Sequence, residues 1–359
     1  MDHISELSTT LAHFFNWNKS RVTCLAQMVQ ALICVRTINL TQVASAFQTK
    51  AKEESAYRRI CRFFTDFTFD FSAIVPFILK LFPLKSKCIL ILDRTNWKWG
   101  KTPINILMLS IGYKGISIPF FWSVLDLEGN SCVNDRVALF ERALKQFPTS
   151  RIEVFLADRE FVGKEWFDYL MRNHIPFLVR VKSSYLIMSE NETLAVKIRK
   201  FLKQFGKRKK VGNIPIVMWG KKLFLSFQKG KRGATEPMIL VSNCCFEDPL
   251  QLYRRRWEIE TLFGCLKSRG FHLEDTHVTD PNKIERMIFV LALAFCWAYR
   301  TGEFRLREIP IPQKTHGRKA KSLFRHGLDL IRRSIWQAKT DFGKFLNVIN
   351  CLKLEVNYV

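Results

Sequence analysis

The first 82 residues carry apolar side chains at helical spacing. Asn39 or Thr41 stands where it can cap one such segment, a polar break follows at 48–54, and a second segment begins near Ser55. The second segment carries several arginines, and two short helices with a basic face favour a helix-turn-helix-like reader of DNA. The same pattern equally suits a helical dimerisation or packing domain. The apolar positions of the first segment recur at intervals of three and four residues: Leu40, Val43, Ala44 and Phe47.

Near residue 88 the pattern changes to continuous apolar runs. Residues 88–92 (CILIL) form such a run and end at Asp93, as expected of a strand buried on both faces. Residues 152–157 form another run, which ends at Asp158. Because helical and strand patterns alternate around these runs, the sequence predicts a mixed α/β sheet. Further strands are predicted at 104–113, 116–125 and 177–181, the first two joined in a hairpin, and helices at 133–147 and 164–173.

A third pattern, of short apolar runs separated by glycines, occupies about 183–245 and predicts a β-rich insertion. A helical pattern returns from 248 to 267, and an apolar stretch at 287–299 predicts a buried helix, because it is too short to span a bilayer. The tail is basic, interrupted by prolines and then helical. The predicted organisation has three parts: a helical region at 1–82, an α/β domain at 83–300 that contains the insertion, and a basic helical region at 301–359.

The charge of the chain points to a polyanionic partner. Fifty-seven Lys and Arg against thirty-two Asp and Glu leave a formal net charge of +25. A field of this sign attracts nucleic acid above all, although an anionic membrane surface would also be attracted. Neither a signal peptide nor a membrane span is expected from the apolar pattern. The ten cysteines form no Cys-x-x-Cys pair, which favours reduced thiols in a cytosolic protein over zinc sites or disulfides.

Two aspartates are candidates for chemistry because each comes directly after an apolar strand. The carboxyl ends of strands in open α/β sheets are where ligands bind, so Asp93 and Asp158 could project into one site. Two convergent carboxylates repel each other unless a cation or a proton lies between them. Ligation by oxygen alone suits Mg²⁺ or Mn²⁺. The alternative is that each aspartate only caps the turn or helix that comes after it.

A third carboxylate lies on the helical segment at 253–267. At about 100° per residue, four of its polar side chains fall within roughly 60° of one another, whereas Glu258 lies on the far side. A carboxylate between two cations and a phenol suits a metal ligand among phosphate-binding groups. A solvated helix face with a Glu–Lys pair would show the same spacing. The four residues on the shared face are Tyr253, Arg256, Glu260 and Lys267.

These four residues match the Tyr-x2-Arg-x3-Glu-x6-Lys signature of a group of bacterial DDE transposases, the insertion-sequence-four family. The segments around the two aspartates, LDRTNW at 92–97 and LADREF at 156–161, also resemble that family. The order agrees as well, since the two aspartates precede a β-rich insertion and the glutamate comes after it. The resemblance covers roughly residues 85–300.

The resemblance implies an RNase H-like catalytic core, interrupted by the insertion and flanked by helical N- and C-terminal regions. It implies that Asp93, Asp158 and Glu260 hold two Mg²⁺ or Mn²⁺ ions, and that the protein cuts the ends of a mobile element and joins them to target DNA. Relatives often cut through a DNA hairpin. Three further residues would contact phosphates near the cut end: Tyr253, Arg256 and Lys267.

The same resemblance implies the expected partners: double-stranded DNA with terminal inverted repeats, target DNA, a second copy of the chain in the DNA complex, and no membrane. The expected location is the bacterial or archaeal cytoplasm, at the nucleoid. Two alternatives stay open, namely an RNase H-like nuclease without strand transfer and a catalytically silent DNA-binding descendant. Basic runs that could track DNA, or be solvated loops, lie at 207–210, 229–232 and 318–321.

Overall fold

The protein is described by a computed structural model that covers residues 3–67, 70–125, 129–189, 194–230, 237–315 and 317–353. The chain divides into two compact units. One unit, here the helical unit, comprises Met1–Pro83, Asn96–Ile104 and Leu262–Val359, and the other, the sheet unit, comprises Leu84–Thr95 and Asn105–Thr261. The three-part division expected from the sequence stays a prediction.

Helices and strands alternate in the middle of the described chain and helices occupy its two ends. The helices are α1 His3–Ala12, α2 Lys19–Val35, α3 Leu40–Ser45, α4 Glu53–Asp66, α5 Phe71–Lys80, α6 Val133–Leu144, α7 Lys164–Arg172, α8 Ile198–Phe201, α9 Pro249–Tyr253, α10 Glu258–Leu266, α11 Pro281–Glu308, α12 Leu323–Trp336 and α13 Phe342–Asn350. The strands are β1 Cys88–Trp99, β2 Thr102–Tyr113, β3 Ile116–Leu125, β4 Ile152–Ala157, β5 Phe177–Arg180, β6 Leu186–Ile187, β7 Val196–Lys197, β8 Lys210–Met218, β9 Lys221–Gln228 and β10 Met238–Ser242.

Eight of the strands form one mixed sheet in the order β3-β2-β1-β4-β5-β10-β9-β8. The central strands β1, β4 and β5 are parallel, whereas β10 is antiparallel to both β5 and β9. The continuous apolar runs reflect this position, because parallel strands at the centre of a sheet are buried on both faces. The predicted mixed α/β fold with helical ends is confirmed, and the strands of the insertion extend the sheet beyond β5.

The predicted hairpin at 104–125 has a two-residue turn at Lys114 and Gly115. Both residues have positive φ, 48° and 87° respectively. A two-residue turn of this kind has the twist that antiparallel strands require, and glycine adopts it without a steric penalty. β2 and β3 accordingly pair from Tyr113–Ile116 outwards.

The two short helices predicted near the N-terminus are α3 and α4. Asn39 caps α3, since its side chain accepts hydrogen bonds from the amides of Thr41 and Gln42. α4 begins at Glu53, slightly before the expected start at Ser55, and two acidic residues stand in its first turn. Negative charge there is favourable because the N-terminus of a helix carries a partial positive charge.

α11 is the core helix of the helical unit and is much longer than the predicted stretch 287–299. It starts at Pro281, directly after the N-cap residue Asp280, and continues through Gly302 to Glu308. By length and composition it could cross a membrane, but 83% of its most apolar window is buried inside the protein. This burial is what a core helix requires. The expectation of no membrane partner stays a prediction.

Glycine allows α11 and α12 to pack backbone to backbone. A methyl group at Gly327 of α12 would overlap the carbonyl oxygen of Ala298 and the amide of Gly302, both on α11. A methyl group at Gly302 would in turn overlap the carbonyl oxygen of Leu323. The obstructing atoms belong to the backbone, so a side-chain rotation cannot relieve the overlap.

Gly327→Ala should therefore lower the free energy of unfolding by about 3 kcal/mol, because overpacking of a dense core forces the backbone to shift. Urea unfolding followed by circular dichroism measures this change. The control is Gly343→Ala in α13, where the added methyl group meets only Asp341 Oδ1 at 3.7 Å. That substitution should leave stability unchanged or raise it by about 0.5 kcal/mol. Equal effects at both positions would contradict the close packing of α11 on α12.

Candidate active site

The parallel pairing of β1 with β4 brings the two candidate aspartates to neighbouring positions in the sheet unit. The register of the pair ends with Leu92 opposite Ala157, so Asp93 and Asp158 are the next residues on each strand. Each carboxylate accepts a hydrogen bond from the following amide at 2.8 Å, from Arg94 and from Arg159 respectively. The register therefore places the two aspartates at the same edge of the sheet, and their joint role in one site stays a prediction.

The two aspartates differ in the backbone structure on their C-terminal side. β1 does not end at Asp93, as the apolar run suggested, but continues to Trp99. Asp158 comes directly after the end of β4 and caps a short 3₁₀ turn, Arg159–Phe161. The apolar run marks the part of β1 that is covered on both faces, and the strand goes on as a polar extension. Asp93 is buried, whereas the side chain of Asp158 is 30% exposed.

The segment with the third carboxylate is not one continuous helix. α9 ends at Tyr253, a 3₁₀ turn lies at Arg254–Trp257, and α10 begins at Glu258. In a 3₁₀ turn the side chains three residues apart eclipse each other. Tyr253 and Arg256 therefore point in nearly the same direction, towards the strands that carry the aspartates. The sequence predicted a single helix over 248–267, and the tighter turn was missed.

Arg256 joins two of the three candidate carboxylates. Its Nη1 donates to Asp93 Oδ2 at 2.8 Å, and both terminal nitrogens lie 3.5 Å from Glu260 Oε1. The guanidinium is 6% exposed, whereas the Glu260 side chain is 43% exposed. A buried cation shared by two carboxylates offsets the repulsion between them.

Tyr253 provides the contact to the second aspartate. Its hydroxyl donates to the carbonyl oxygen of Ala157 at 3.2 Å and lies 3.5 Å from Asp158 Oδ1. Burial raises the pKa of Tyr253, and the negative charge of Asp158 raises it further. The phenol therefore keeps its proton and acts as a donor. Arg180 of β5 adds a positive charge, with its Nη1 4.0 Å from Asp158 Oδ1.

Burial controls the electrostatics of Asp93. It raises the pKa of Asp93 to about 7, and the charges of Glu260 and Glu160 act in the same direction. The Arg256 guanidinium and the Arg94 amide lower the pKa of Asp93, but by less. For Arg256, burial is the largest single influence and lowers the pKa, but Asp93, Tyr253, Asp158 and Glu260 together outweigh it, so that the pKa is raised.

Glu258 and Lys267, two further polar residues of this segment, make other contacts. Glu258 is buried, pairs with Arg255 at 2.9 Å, and lies so close to Gly112 that a methyl group there would be 2.7 Å from its Oε2. This packing role agrees with its predicted place on the far side. Lys267 belongs to the helical unit, where its ammonium is 2.7 Å from Glu274 Oε1.

The donor set suits a hard divalent cation, but the three carboxylates do not form a finished metal cage. Asp93, Asp158 and Glu260 offer oxygen atoms alone, which is the chemistry that Mg²⁺ and Mn²⁺ prefer. Within the described ranges, however, no three His, Cys, Asp or Glu side chains converge closely enough to hold an ion. The Arg256 guanidinium lies against Asp93 and Glu260, and so supplies the positive charge that the carboxylates require.

Sequence reasoning missed the side chains that connect the two aspartate-bearing segments. Arg94 and Glu160 lie within the quoted motifs, and they form an ion pair at 3.2 Å. A signal was present, because each stands one or two positions after an aspartate, but 66 residues separate them in the chain. Trp219 of the insertion packs against Phe167 and Tyr185.

The basic runs are partly neutralised. Lys210 pairs with Asp248 at 2.8 Å, and Lys321 pairs with Asp329 at 2.7 Å. The run at 229–232 extends beyond the described residues, which stop at 230 in that segment.

The mixed sheet thus carries two of the candidate carboxylates after adjacent parallel strands, and the third lies on a later helix. The model of the transposase DDE domain family matches residues 84–297, which is more than half of the chain. The chain therefore belongs to that family, and the expectation of a DDE transposase domain is confirmed at this level. Membership of the insertion-sequence-four group stays a prediction. A search of curated proteins gave no match.

Solved structures resemble the chain only distantly. A piggyBac transposase in a synaptic complex with hairpin DNA shares 14% identity at a TM-score of 0.49, covering 99% of this chain and 83% of that chain. Endonuclease V from Bacillus subtilis shares 11% identity at a TM-score of 0.25, covering 58% of this chain and 83% of that chain. Aa-Ago with externally bound siRNA shares 12% identity at a TM-score of 0.24, covering 59% of this chain and 28% of that chain. All three TM-scores lie below 0.5.

The raised pKa of Asp93 predicts a specific dependence of stability on pH. Between its ordinary value of 3.8 and about 7, the folded protein keeps a proton that the unfolded chain has lost. Stability should therefore fall as the pH rises through this window, by about 1.4 kcal/mol per pH unit from this group. Asp93→Asn should abolish this contribution, although it also removes the carboxylate nearest to the Arg256 guanidinium and lowers stability by a constant amount.

Urea unfolding of wild type and variant at several pH values between 4 and 8 tests the effect, since the difference between the two curves isolates Asp93. Glu165→Gln, which replaces an exposed carboxyl group on α7, should keep the wild-type dependence. Parallel curves for wild type and Asp93→Asn would show that Asp93 ionises normally in the folded protein.

Proposed function

We propose that this protein is a cut-and-paste DNA transposase whose active site is formed by Asp93, Asp158 and Glu260. The observation that carries the proposal is the parallel register that ends at Leu92 and Ala157, which makes the two aspartates neighbours inside the segment matched by the family. The contacts of Arg256 to Asp93 and Glu260 support the third member of the triad. The net charge of +25 supports DNA as the partner.

Asp93, Asp158 and Glu260 would hold two Mg²⁺ or Mn²⁺ ions in this proposal. Bound ions would activate a water or a 3′-hydroxyl and offset charge on the leaving oxygen. The rigid strands would keep Asp93 and Asp158 in place, and Glu260, whose side chain is more exposed, would approach from the helix. The raised pKa of Asp93 is consistent with a carboxylate that needs a neighbouring positive charge in order to ionise.

The remaining residues of the predicted signature would bind phosphates next to the cut. The Arg256 guanidinium can donate several hydrogen bonds in one plane, a geometry that fits a phosphate. The Tyr253 phenol keeps its proton and would donate it to a phosphate in place of the carbonyl oxygen of Ala157. Lys267 would contribute its charge further along the same DNA end. These roles, and membership of the insertion-sequence-four group, are proposed from the resemblance.

Three further features of the proposal also rest on that resemblance. Cleavage would pass through a DNA hairpin, in which the freed 3′-hydroxyl attacks the opposite strand. Two copies of the chain would act together on paired element ends, which carry terminal inverted repeats. The place of action would be the bacterial or archaeal cytoplasm.

The N-terminal region would contribute DNA recognition, and an arginine pocket on the helical unit supports this. The pocket lies between α2 and α4, has a volume of about 320 Å³, and includes Arg21, Arg59 and Arg62. Arg59 donates to Gln27 Oε1 and to the carbonyl oxygen of Ser20, and Arg21 lies over the ring of Phe67. Asp66 is the sole carboxylate among the pocket-lining residues. Three guanidinium groups against one carboxylate attract a phosphate.

Glu260→Gln should abolish DNA cleavage and leave DNA binding intact, because it keeps the size of the side chain and removes its charge. The assay uses a labelled duplex that carries the element's end, with Mg²⁺, and resolves nicked, hairpin and joined products. Loss of a metal-binding carboxylate should reduce the cleavage rate by at least about 10³-fold. Binding to the same duplex is measured separately by fluorescence anisotropy.

The matched control for this substitution is Glu165→Gln, which should cut at the wild-type rate. Cleavage that survives in Glu260→Gln would remove Glu260 from the triad. Cleavage without any joined product would favour a nuclease without strand transfer. Tight binding without cleavage, in the wild type and in the variant alike, would favour a catalytically silent descendant.

Arg62→Gln should weaken DNA binding through the arginine pocket. If Arg62 contacts one phosphate, the slope of log affinity against log salt concentration should become shallower by about 0.9. Arg333→Gln removes the same charge from an exposed position on α12 and serves as the control. Identical slopes for the two variants would mean that the pocket does not bind the DNA backbone.

A further inference from the structure

Arg94 and Glu160 form a bidentate ion pair in the sheet unit. Arg94 comes directly after Asp93, and Glu160 comes two residues after Asp158. The Nε of Arg94 donates to Glu160 Oε1 at 3.3 Å, and its Nη2 donates to Glu160 Oε2 at 3.2 Å. The side chains are only 14% and 22% exposed. Paired, parallel hydrogen bonds of this kind define direction as well as distance.

The arginine is held from a second side. Its Nη1 donates to Asn105 Oδ1 at 3.0 Å and its Nη2 to Asn130 Oδ1 at 3.2 Å. Asn105 in turn donates from its Nδ2 to the carbonyl oxygen of Gly129 at 2.9 Å. Because the fork of Arg94 is engaged on both edges, its side chain is restricted to one orientation.

The glutamate is held through its backbone. The buried Arg136 of α6 donates from Nη2 to the carbonyl oxygen of Glu160 at 3.1 Å. The same guanidinium is tied to Ser131 by two hydrogen bonds, at 2.9 Å to the hydroxyl and 2.6 Å to the carbonyl oxygen. The turn that begins after Asp158 is thus attached to α6, independently of its link to Arg94.

The ion pair lies where the backbone pairing of β1 and β4 has ended. The last register pair is Leu92 with Ala157, after which β4 gives way to a 3₁₀ turn while β1 continues. The two carboxylates at this place repel each other when both are ionised. The Arg94–Glu160 ion pair connects the two segments beyond this point, one residue after Asp93 and two residues after Asp158.

We propose that Arg94 and Glu160 are positioning residues that keep Asp93 and Asp158 beside each other, as shared metal binding by the two aspartates requires. This inference rests on the proposed function, since it assumes that the two aspartates share that task. Neither residue is placed in contact with DNA or with a reacting atom. Groups that orient metal ligands typically change metal affinity or activity by about 10–100-fold when they are replaced.

The test measures four quantities for wild type and variants: the cleavage rate, the DNA dissociation constant, the Mn²⁺ dissociation constant from electron paramagnetic resonance, and the melting temperature. Arg94→Gln and Glu160→Gln should each reduce the cleavage rate and Mn²⁺ affinity by about 10–100-fold. The DNA dissociation constant should stay within about twofold, since the pair is not part of the DNA contacts. Arg94→Lys should recover only part of the loss, because it keeps the charge without the fork.

The double variant Arg94→Gln/Glu160→Gln distinguishes a working pair from two separate effects. Residues that act through one contact show strongly non-additive losses. The double variant should therefore be no worse than the poorer single variant. If the fold-loss of the double variant equals the product of the two single losses, Arg94 and Glu160 do not act as one positioning pair.

The control pair is Lys221 with Asp168, which form an ion pair of similar exposure, 18% and 31%, in the same unit. Lys221→Gln and Asp168→Asn should lower the melting temperature comparably without reducing cleavage rate or Mn²⁺ affinity. If the wild type cuts DNA and binds Mn²⁺ while the Arg94 variants behave like these controls, the inference alone fails. If the wild type neither cuts nor binds Mn²⁺, the proposed function fails, and this inference with it.

Discussion

The site in the sheet unit is organised by the repulsion of carboxylates that the fold makes neighbours. The parallel pairing of β1 and β4 ends so that Asp93 and Asp158 lie side by side, and Asp93 is buried. Burial raises the pKa of Asp93 to about 7, and positive charge nearby favours the ionised form. Arg256 provides that charge at 2.8 Å. The stability of this arrangement therefore depends on a cation, whether it belongs to the protein or is bound by it.

The 3₁₀ turn between α9 and α10 determines the direction in which the Arg256 side chain points. In a regular α-helix, residues three apart are about 60° out of phase, whereas in a 3₁₀ turn they eclipse. Tyr253 and Arg256 consequently face the same two strands, and each contacts a different aspartate. Because of the 3₁₀ turn, side chains of one helical segment reach both Asp93 and Asp158.

The elements of the fold could be predicted where burial leaves a clear pattern. The runs at 88–92 and 152–157 identify the central strands, and Lys114-Gly115 identifies the hairpin turn. The extension of β1 to Trp99 and of α11 to Glu308 could not be predicted, because in those parts the apolar pattern fades while hydrogen bonding continues. Apolar periodicity reports burial and not the end of a hydrogen-bonded element.

For the candidate site, the sequence predicts a set of residues but not the contacts that they make. The helical phase and the motif resemblance selected Tyr253, Arg256 and Glu260, yet neither shows which carboxylate each side chain meets. The 3₁₀ turn changes the phase by an amount that the sequence does not reveal, since Arg254–Trp257 carries no proline or glycine. The partner of Arg94 was out of reach for another reason: a pairing over 66 residues depends on strand order.

Arg94 and Arg256 differ in the carboxylates that they contact, and this difference indicates different roles. Arg94 has its own carboxylate, Glu160, and two amide partners, so leaving its place would break a complete set of hydrogen bonds. Arg256 shares its charge between Asp93 at 2.8 Å and Glu260 at 3.5 Å. Both of these are proposed metal ligands, and a carboxylate that binds an ion attracts a guanidinium less strongly. In the proposed function, Arg94 would therefore stay in place as part of the framework. Arg256 would become available to bind a DNA phosphate when Asp93 and Glu260 bind metal ions. Metal binding and DNA binding would then be coupled.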